Sequence, residues 1–269
     1  METPSCLVIR LAGPLQSWGV RSQFKRRETT SAPTKSGIVG LLAAAQGRAR
    51  RDPIDDLLCL TIGVRTDQSG SLLRDYHTVS DYRGVPLPSA RVNAKGMQER
   101  TKSATNVTER YYLQDAVFVA AVGGPSALLG SLFEAMMRPA FPLALGRRAC
   151  VPTQPLVLRP ADGQQAANSP GLWTGDPLSV LKIVPWQASA ERVQRLERRE
   201  GGARAIDLPV VVDDPAGDDI AADVPRTFDP AGRSFTERPV RHMWVSMRAS
   251  SRAVDQVVTT HDPFTLLRW

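Results

Sequence analysis

A chain of 269 residues, 42% of them hydrophobic, is long enough to bury a sizeable core in one or two domains. It has no apolar run of membrane-spanning length and no charged leader followed by an apolar stretch, so no membrane, no secretory signal and a cytoplasmic location are expected. Cys6, Cys59 and Cys150 are far apart and odd in number, which argues against a disulfide framework and for a reducing compartment.

Taken in chain order, Cys6 to Leu11 alternates and is rich in β-formers, so it reads as a strand. Residues 12–34 form a long polar loop. Thr34 or Ser36 caps a helix to about Gly47, with Ile38, Leu41, Leu42 and Ala45 on one face. Asp52 to Leu60 is a short helix with an acidic first turn, and Thr61 to Thr66 is a strand. Leu72 to Tyr82 and Val107 to Leu113 are extended on either side of a polar, basic stretch, which outlines a hairpin arm. Ala116 to Val122 is a continuous apolar strand, and Pro125 opens a helix to about Arg138. Five prolines keep residues 139–160 extended or looped.

That order gives an α+β fold: a ferredoxin-like or RRM-like β-α-β-β-α-β domain over residues 1–150 with an inserted β-hairpin thumb at about 74–113. Residues 151–269 are expected to be a β-rich region, with strands at Leu178–Val184, Ile206–Val212 and Val240–Met247. Glu191 to Glu200 is charged, helical or solvated, and 213–229 is expected to be a flexible acidic loop.

The net charge of +7 is unevenly placed. Residues 1–150 carry 20 Lys and Arg against 12 Asp and Glu, whereas residues 151–269 carry 14 against 15. The excess belongs to the first part, which fits a polyanionic partner on one face and is also compatible with an acidic protein partner. Only five of the 34 basic residues are Lys, and Arg grips phosphate with a fork that Lys lacks.

Two phrases locate a candidate site. Leu11 to Gly19 leaves the first strand through a Gly-Pro turn carrying Gln16, Ser17 and Trp18. Thr34 to Leu42 opens the helix with Lys35, Ser36 and Gly37, and Arg21, Lys25, Arg26 and Arg27 lie between the two. A P-loop needs Gly immediately before the Lys and again five residues earlier. Thr34 and Thr29 stand there, which excludes nucleotide hydrolysis of that kind. A helix N-terminus beside a small residue can still receive a phosphate, although Gly37 and Gly40 equally allow close helix packing. Trp18 either stacks on a base or anchors the core. A second basic turn is formed by Gly146, Arg147 and Arg148. No metal-ligand motif or nucleophile elbow is present, so no metal or other cofactor is expected. Asp75, Tyr76 and His77 have the residue types for metal-free RNA cleavage, but neighbours in a strand face opposite sides.

The runs Leu11–Gly19, Pro33-Thr34-x-Ser36-Gly37, Leu73–Val79, Asp81-Tyr82-Arg83, Tyr112-Leu113-x-Asp115-Ala116-x-Phe118 and Leu145-Gly146-Arg147-Arg148-x-Cys150 resemble the Cas-five-type RAMP subunits of the type I-E CRISPR Cascade complex, the CasD family. The resemblance covers residues 5–157 and continues as an echo at His242–Val245. It implies an RRM-like fold with a thumb, and a subunit without catalytic activity that binds the repeat-derived 5′ handle of CRISPR RNA. It also implies contacts with the backbone subunit and the large PAM-recognising subunit, and with target DNA only through the complex. Gln16, Ser17, Trp18, Arg21, Lys25, Arg26, Arg27, Lys35, Ser36, Gly37, Arg147 and Arg148 are the expected RNA contacts, with Arg83, Arg91, Lys95, Arg100, Lys102 and Arg110 along the thumb. A sister subtype whose corresponding subunit cuts RNA sets the alternative: a metal-independent endoribonuclease using Tyr76, His77 and Lys95 or Lys102.

Overall fold

Two sheets organise the described residues. The computed structural model describes residues 3–19, 26–80, 94–97, 105–161, 163–166, 170–200 and 205–248. In chain order the elements are β1 (Ser5–Ala12), β2 (Leu15–Gln16), β3 (Arg26–Arg27), α1 (Lys35–Ala45), α2 (Asp55–Leu58), β4 (Thr61–Gln68), β5 (Ser71–Ser80) and β6 (Thr105–Gln114). There follow β7 (Val117–Gly123), α3 (Ser126–Met137), β8 (Trp173–Thr174), α4 (Pro177–Ile183), α5 (Ala190–Glu200), β9 (Ala205–Asp213), β10 (Asp219–Thr227) and β11 (Ser234–Arg248). Among the described residues, no helix is long and apolar enough to cross a membrane.

The larger sheet has the order β10-β11-β9-β4-β7-β1-β8, with every pair antiparallel. All eight residues of β1 and all seven of β7 are buried, because both faces of the sheet are covered. Leu7, Ile9, Leu11, Phe118, Ala120 and Val122 pack in one cluster with residues of α1 and α3. Cys6, Val8, Val119 and Ala121 pack on the other face with Val180 and Leu181 of α4. Near-continuous apolar runs therefore replace the polar alternation of a half-solvated strand. The smaller sheet is the base of the arm: β5 pairs with one edge of β6, and β2 and β3 pair with the other.

Three expectations are corrected. Leu178–Val184 is helical, because Asp176 accepts hydrogen bonds from the Leu178 and Ser179 amides as N-cap and Pro177 sits in the first turn. Residues 213–229 are not a flexible loop but the end of β9, a turn and β10. β9, β10 and β11 also extend the same sheet as β1, β4 and β7, so hydrogen-bonded strands span the boundary expected near residue 150.

The acidic stretch is ordered by a buried ion cluster. The Lys35 ammonium donates to Asp213 at 2.8 Å and to the Leu60 carbonyl at 2.7 Å. The Lys35 amide, at the start of α1, donates to Asp223 Oδ2 at 2.7 Å. Arg238 bonds both Asp213 and Asp223, and Asp213 also accepts from the Ile62 amide. Two cations thus face two carboxylates, and α1 is tied to β4, β9, β10 and β11. Across the sheet, Arg65 is fully buried. It holds Asp67 through two nitrogens and caps the carbonyls of Leu181 and Val184 at the end of α4.

Replacing Arg238 with Ala leaves two carboxylates around one ammonium. It should lower stability by about 3 kcal/mol in urea denaturation, the usual cost of breaking a largely buried pair; a change under about 0.5 kcal/mol would match an exposed pair instead. The thiols offer a second check. Burial, with the charge of Asp176 second, pushes the Cys6 thiol up to about 12, and burial also raises Cys150, whereas Cys59 is exposed. A thiol reagent at about pH 8 should therefore modify Cys59 in the native protein and reach Cys6 and Cys150 only in denaturant.

Candidate nucleic-acid interface

The two phrases singled out in the sequence meet, but through packing. A Cβ on Gly37 would come within 2.6 Å of the Trp18 indole, so the glycine lets the indole lie on the first turn of α1. Trp18 is 1% exposed, and its Nε1 donates to Gln16 Oε1 at 3.1 Å. Gln16, itself fully buried, donates to the carbonyls of Leu11 and Ala116. Ser17 Oγ donates to the Tyr111 carbonyl. The loop closes behind the indole, where the Trp18 amide donates to Thr29 Oγ1 and its carbonyl accepts from the Thr30 amide and hydroxyl.

These bonds correct the expected roles of several side chains. Gln16, Ser17, Trp18, Lys35 and Ser36 are buried and engaged within the protein rather than held out on its surface. The start of α1 is also occupied from within. The Gly37 amide donates to Thr34 Oγ1 and the Lys35 amide to Asp223, so a side-chain carboxylate takes the place in which a phosphate was expected. Arg21 and Lys25 lie outside the described residues.

The exposed basic groups gather on the arm base. β3 runs parallel to β6, with Arg26 beside Glu109 and Arg27 beside Arg110. The Arg26 guanidinium lies 5.2 Å from the Tyr111 ring centroid and also pairs with Glu28. The Arg147 guanidinium lies 4.9 Å from the Tyr112 ring. Adjacent residues of a strand point to opposite faces, so the two arginines sit on opposite faces of β6. Arg147 also donates to the carbonyls of Tyr111, Arg27 and Glu28, pinning β3 in place. Arg27 and Arg148 remain exposed. Thr108 Oγ1 and Arg110 Nε, two residues apart on one face of β6, are buried and have no hydrogen-bond partner among the described residues.

Gly146 makes this arrangement possible. At φ +88° a side chain is strained, and a Cβ would overlap the Ser17 carbonyl. The Leu145 carbonyl accepts from the Ser17 amide at 3.1 Å, so the basic turn is seated on the loop that carries Trp18.

The remaining expected residues fall as follows. Lys95 sits in an exposed turn beside Gly96, and Arg83, Arg91, Arg100 and Lys102 lie outside the described residues. Tyr76 and His77 are on opposite faces of β5, and His77 Nδ1 stands 4.0 Å from Asp75. Tyr111 and Tyr112 were not among the expected contacts. Their signal was an aromatic pair at the end of an extended stretch, which places one ring on each face. No group of His, Cys, Asp and Glu able to hold a metal exists among the described residues.

An arginine-rich hairpin base, fastened to a larger mixed α and β body, defines a surface suited to a polyanion. The chain belongs to the CRISPR-associated Cas5 family: it matches the family described as "CRISPR-associated protein (Cas_Cas5)" over residues 6–241. It is 36% identical over 173 residues to the "CRISPR system Cascade subunit CasD" of Escherichia coli (strain K12), covering 57% of this chain and 70% of that one. Among solved structures it is similar to a chain of a "CRISPR RNA-guided surveillance complex", at 34% identity and TM-score 0.69, covering 91% of both chains. A "Crystal structure of Cas protein" matches at 33% identity and TM-score 0.60, covering 89% of this chain and 94% of that one.

Gly146→Ala should cost about 1–3 kcal/mol through strain at positive φ and displace Arg147 from Tyr112. A thermal melt at least a few degrees lower, with weaker RNA retention, is the expected result. Lys35→Met should lower stability far more than it weakens RNA binding by the folded protein, as urea denaturation beside filter binding would show.

Proposed function

We propose that this chain is the CRISPR RNA-holding subunit of a type I-E Cascade complex, binding the repeat-derived 5′ handle without cutting it. The observation that carries the reading is the pair of arginines stacked on Tyr111 and Tyr112 from opposite faces of β6, with Arg27 and Arg148 exposed beside them. Single-stranded RNA is held by such stacked planes together with phosphate contacts. An incoming phosphate or ribose would also supply the partners that Thr108 and Arg110 lack. Gln16, Trp18, Lys35 and Gly37 act one layer behind, fixing the loop that presents the arginines. The strand order β4-β7-β1-β8, with α1 and α3 packed on one face, supports the ferredoxin-like reading of this part.

A nuclease needs a base and a partner acid converging on one ribose and phosphate. The opposed faces of Tyr76 and His77 favour a holding role instead. In this reading the backbone and large subunits are the protein partners, and target DNA is met through the complex.

Two measurements test the proposal. Incubated with repeat RNA in EDTA, the purified protein should leave the RNA intact; specific cleavage abolished by His77→Ala would establish the endoribonuclease. In the assembled complex, the double variant Arg26→Ala/Arg27→Ala should weaken RNA retention and flatten the logarithmic salt dependence by about 1.4, for two phosphates on a single strand. An unchanged slope would place both side chains away from the RNA.

A further inference from the structure

One edge of the arm pairs with no other strand among the described residues. All ten residues of β5 pair with β6 in unbroken antiparallel register, from Ser71 with Gln114 to Ser80 with Thr105. The opposite edge of β6 is occupied by β2 and β3. Among the described residues, the outer backbone N–H and C=O groups of β5 have no strand partner.

Exposed edges are usually blunted by a lysine, a proline, a bulge or shortness. β5 is ten residues long, contains neither Lys nor Pro, and keeps its register throughout. It also exposes apolar side chains on both faces. Leu72 and Tyr76, at 64% and 59% exposed, lie on one face, and Leu73 and Val79 on the other. Its two formal charges, Arg74 and Asp75, cancel, and Arg74 is drawn toward Glu109 at 3.9 Å.

We propose that the outer edge of β5 is a docking site for a β-strand of another protein subunit, which adds to the arm sheet as a further strand. The chemistry selects a polypeptide over a nucleic acid. The edge offers acceptors as often as donors, and its carbonyls repel phosphate oxygens, while a second backbone satisfies both. Leu72 and Tyr76 supply apolar contacts at alternate positions of the incoming strand, and the local charge is zero where a phosphate backbone would require a positive one. The inference rests on the proposed function in one respect, that the incoming strand belongs to a subunit of the surveillance complex. It leaves the RNA to the other edge of β6, where Arg26 and Arg27 lie.

The test is Leu72→Lys/Tyr76→Lys in the full chain, reconstituted with its cognate Cascade subunits and CRISPR RNA. The variant should fold, bind repeat RNA within about twofold of the unsubstituted chain, and enter the complex at least about tenfold less, as an edge-blocking lysine does. Hydrogen exchange supplies a backbone readout: β5 amides that exchange quickly in the free chain should become protected on assembly. Normal incorporation of the variant, or β5 amides exchanging alike in the free and assembled chain, would overturn the proposal. So would loss of RNA affinity in a folded variant, which would assign the edge to RNA, or a dimer of the isolated chain abolished by the same substitutions, which would assign it to self-pairing. If the unsubstituted chain neither retains repeat RNA nor assembles, the functional reading fails and this one with it; normal assembly of the variant overturns this one alone.

Discussion

The structure depends on how the N-terminus of α1 is neutralised. A helix start carries unsatisfied amides and a partial positive charge, and here Lys35 adds a full ammonium inside the protein. Asp213 and Asp223 answer both, and Arg238 balances the two carboxylates. Burying such charges is tolerated only when each has partners. That requirement draws β9, β10 and β11 against a helix more than 170 residues earlier in the chain and makes one sheet of two stretches of sequence.

The same constraint positions the surface loop. With α1 held, Gly37 offers a flat seat for Trp18, Trp18 bonds Gln16, and Thr29 and Thr30, just after β3, bond the Trp18 backbone. Gly146 then brings Arg147 against Tyr112 and the carbonyls of β3. Trp18, Gln16 and Tyr112 are buried and the groups that hold them are specifically shaped, so the exposed arginines at the end of the series are presented in a fixed pattern. This limits the conformational freedom that would be lost on binding a polyanion.

Much of the fold was legible. The apolar runs at Cys6–Leu11 and Ala116–Val122, the cap at Thr34 and the proline at 125 marked their elements to within a few residues. α4 was misread because an apolar run of seven residues fits either a strand or a buried helix, and the deciding signal was the Asp176-Pro177 cap. The acidic stretch was misread because its neutralising partners are Lys35 and a neighbouring-strand arginine, which no local window contains. For the candidate site, the sequence brought the two phrases together but did not show which of their side chains are buried. The two phrases drew attention to Lys35 and Trp18, and the three-dimensional arrangement buries both. Tyr111 and Tyr112 gained their importance only once β6 was seen to lie between two arginines.

The hold of Arg147 on Arg27 has a consequence for synthesis. The two residues are 120 positions apart, and at about 5–20 residues per second the ribosome needs roughly 6–24 s to make that interval. During that time the nascent N-terminal loop has its arginines but lacks the guanidinium that pins β3, and the carboxylates that seal α1 come later still. The order of elements along the chain therefore delays the maturation of the basic surface until most of the sheet has been made.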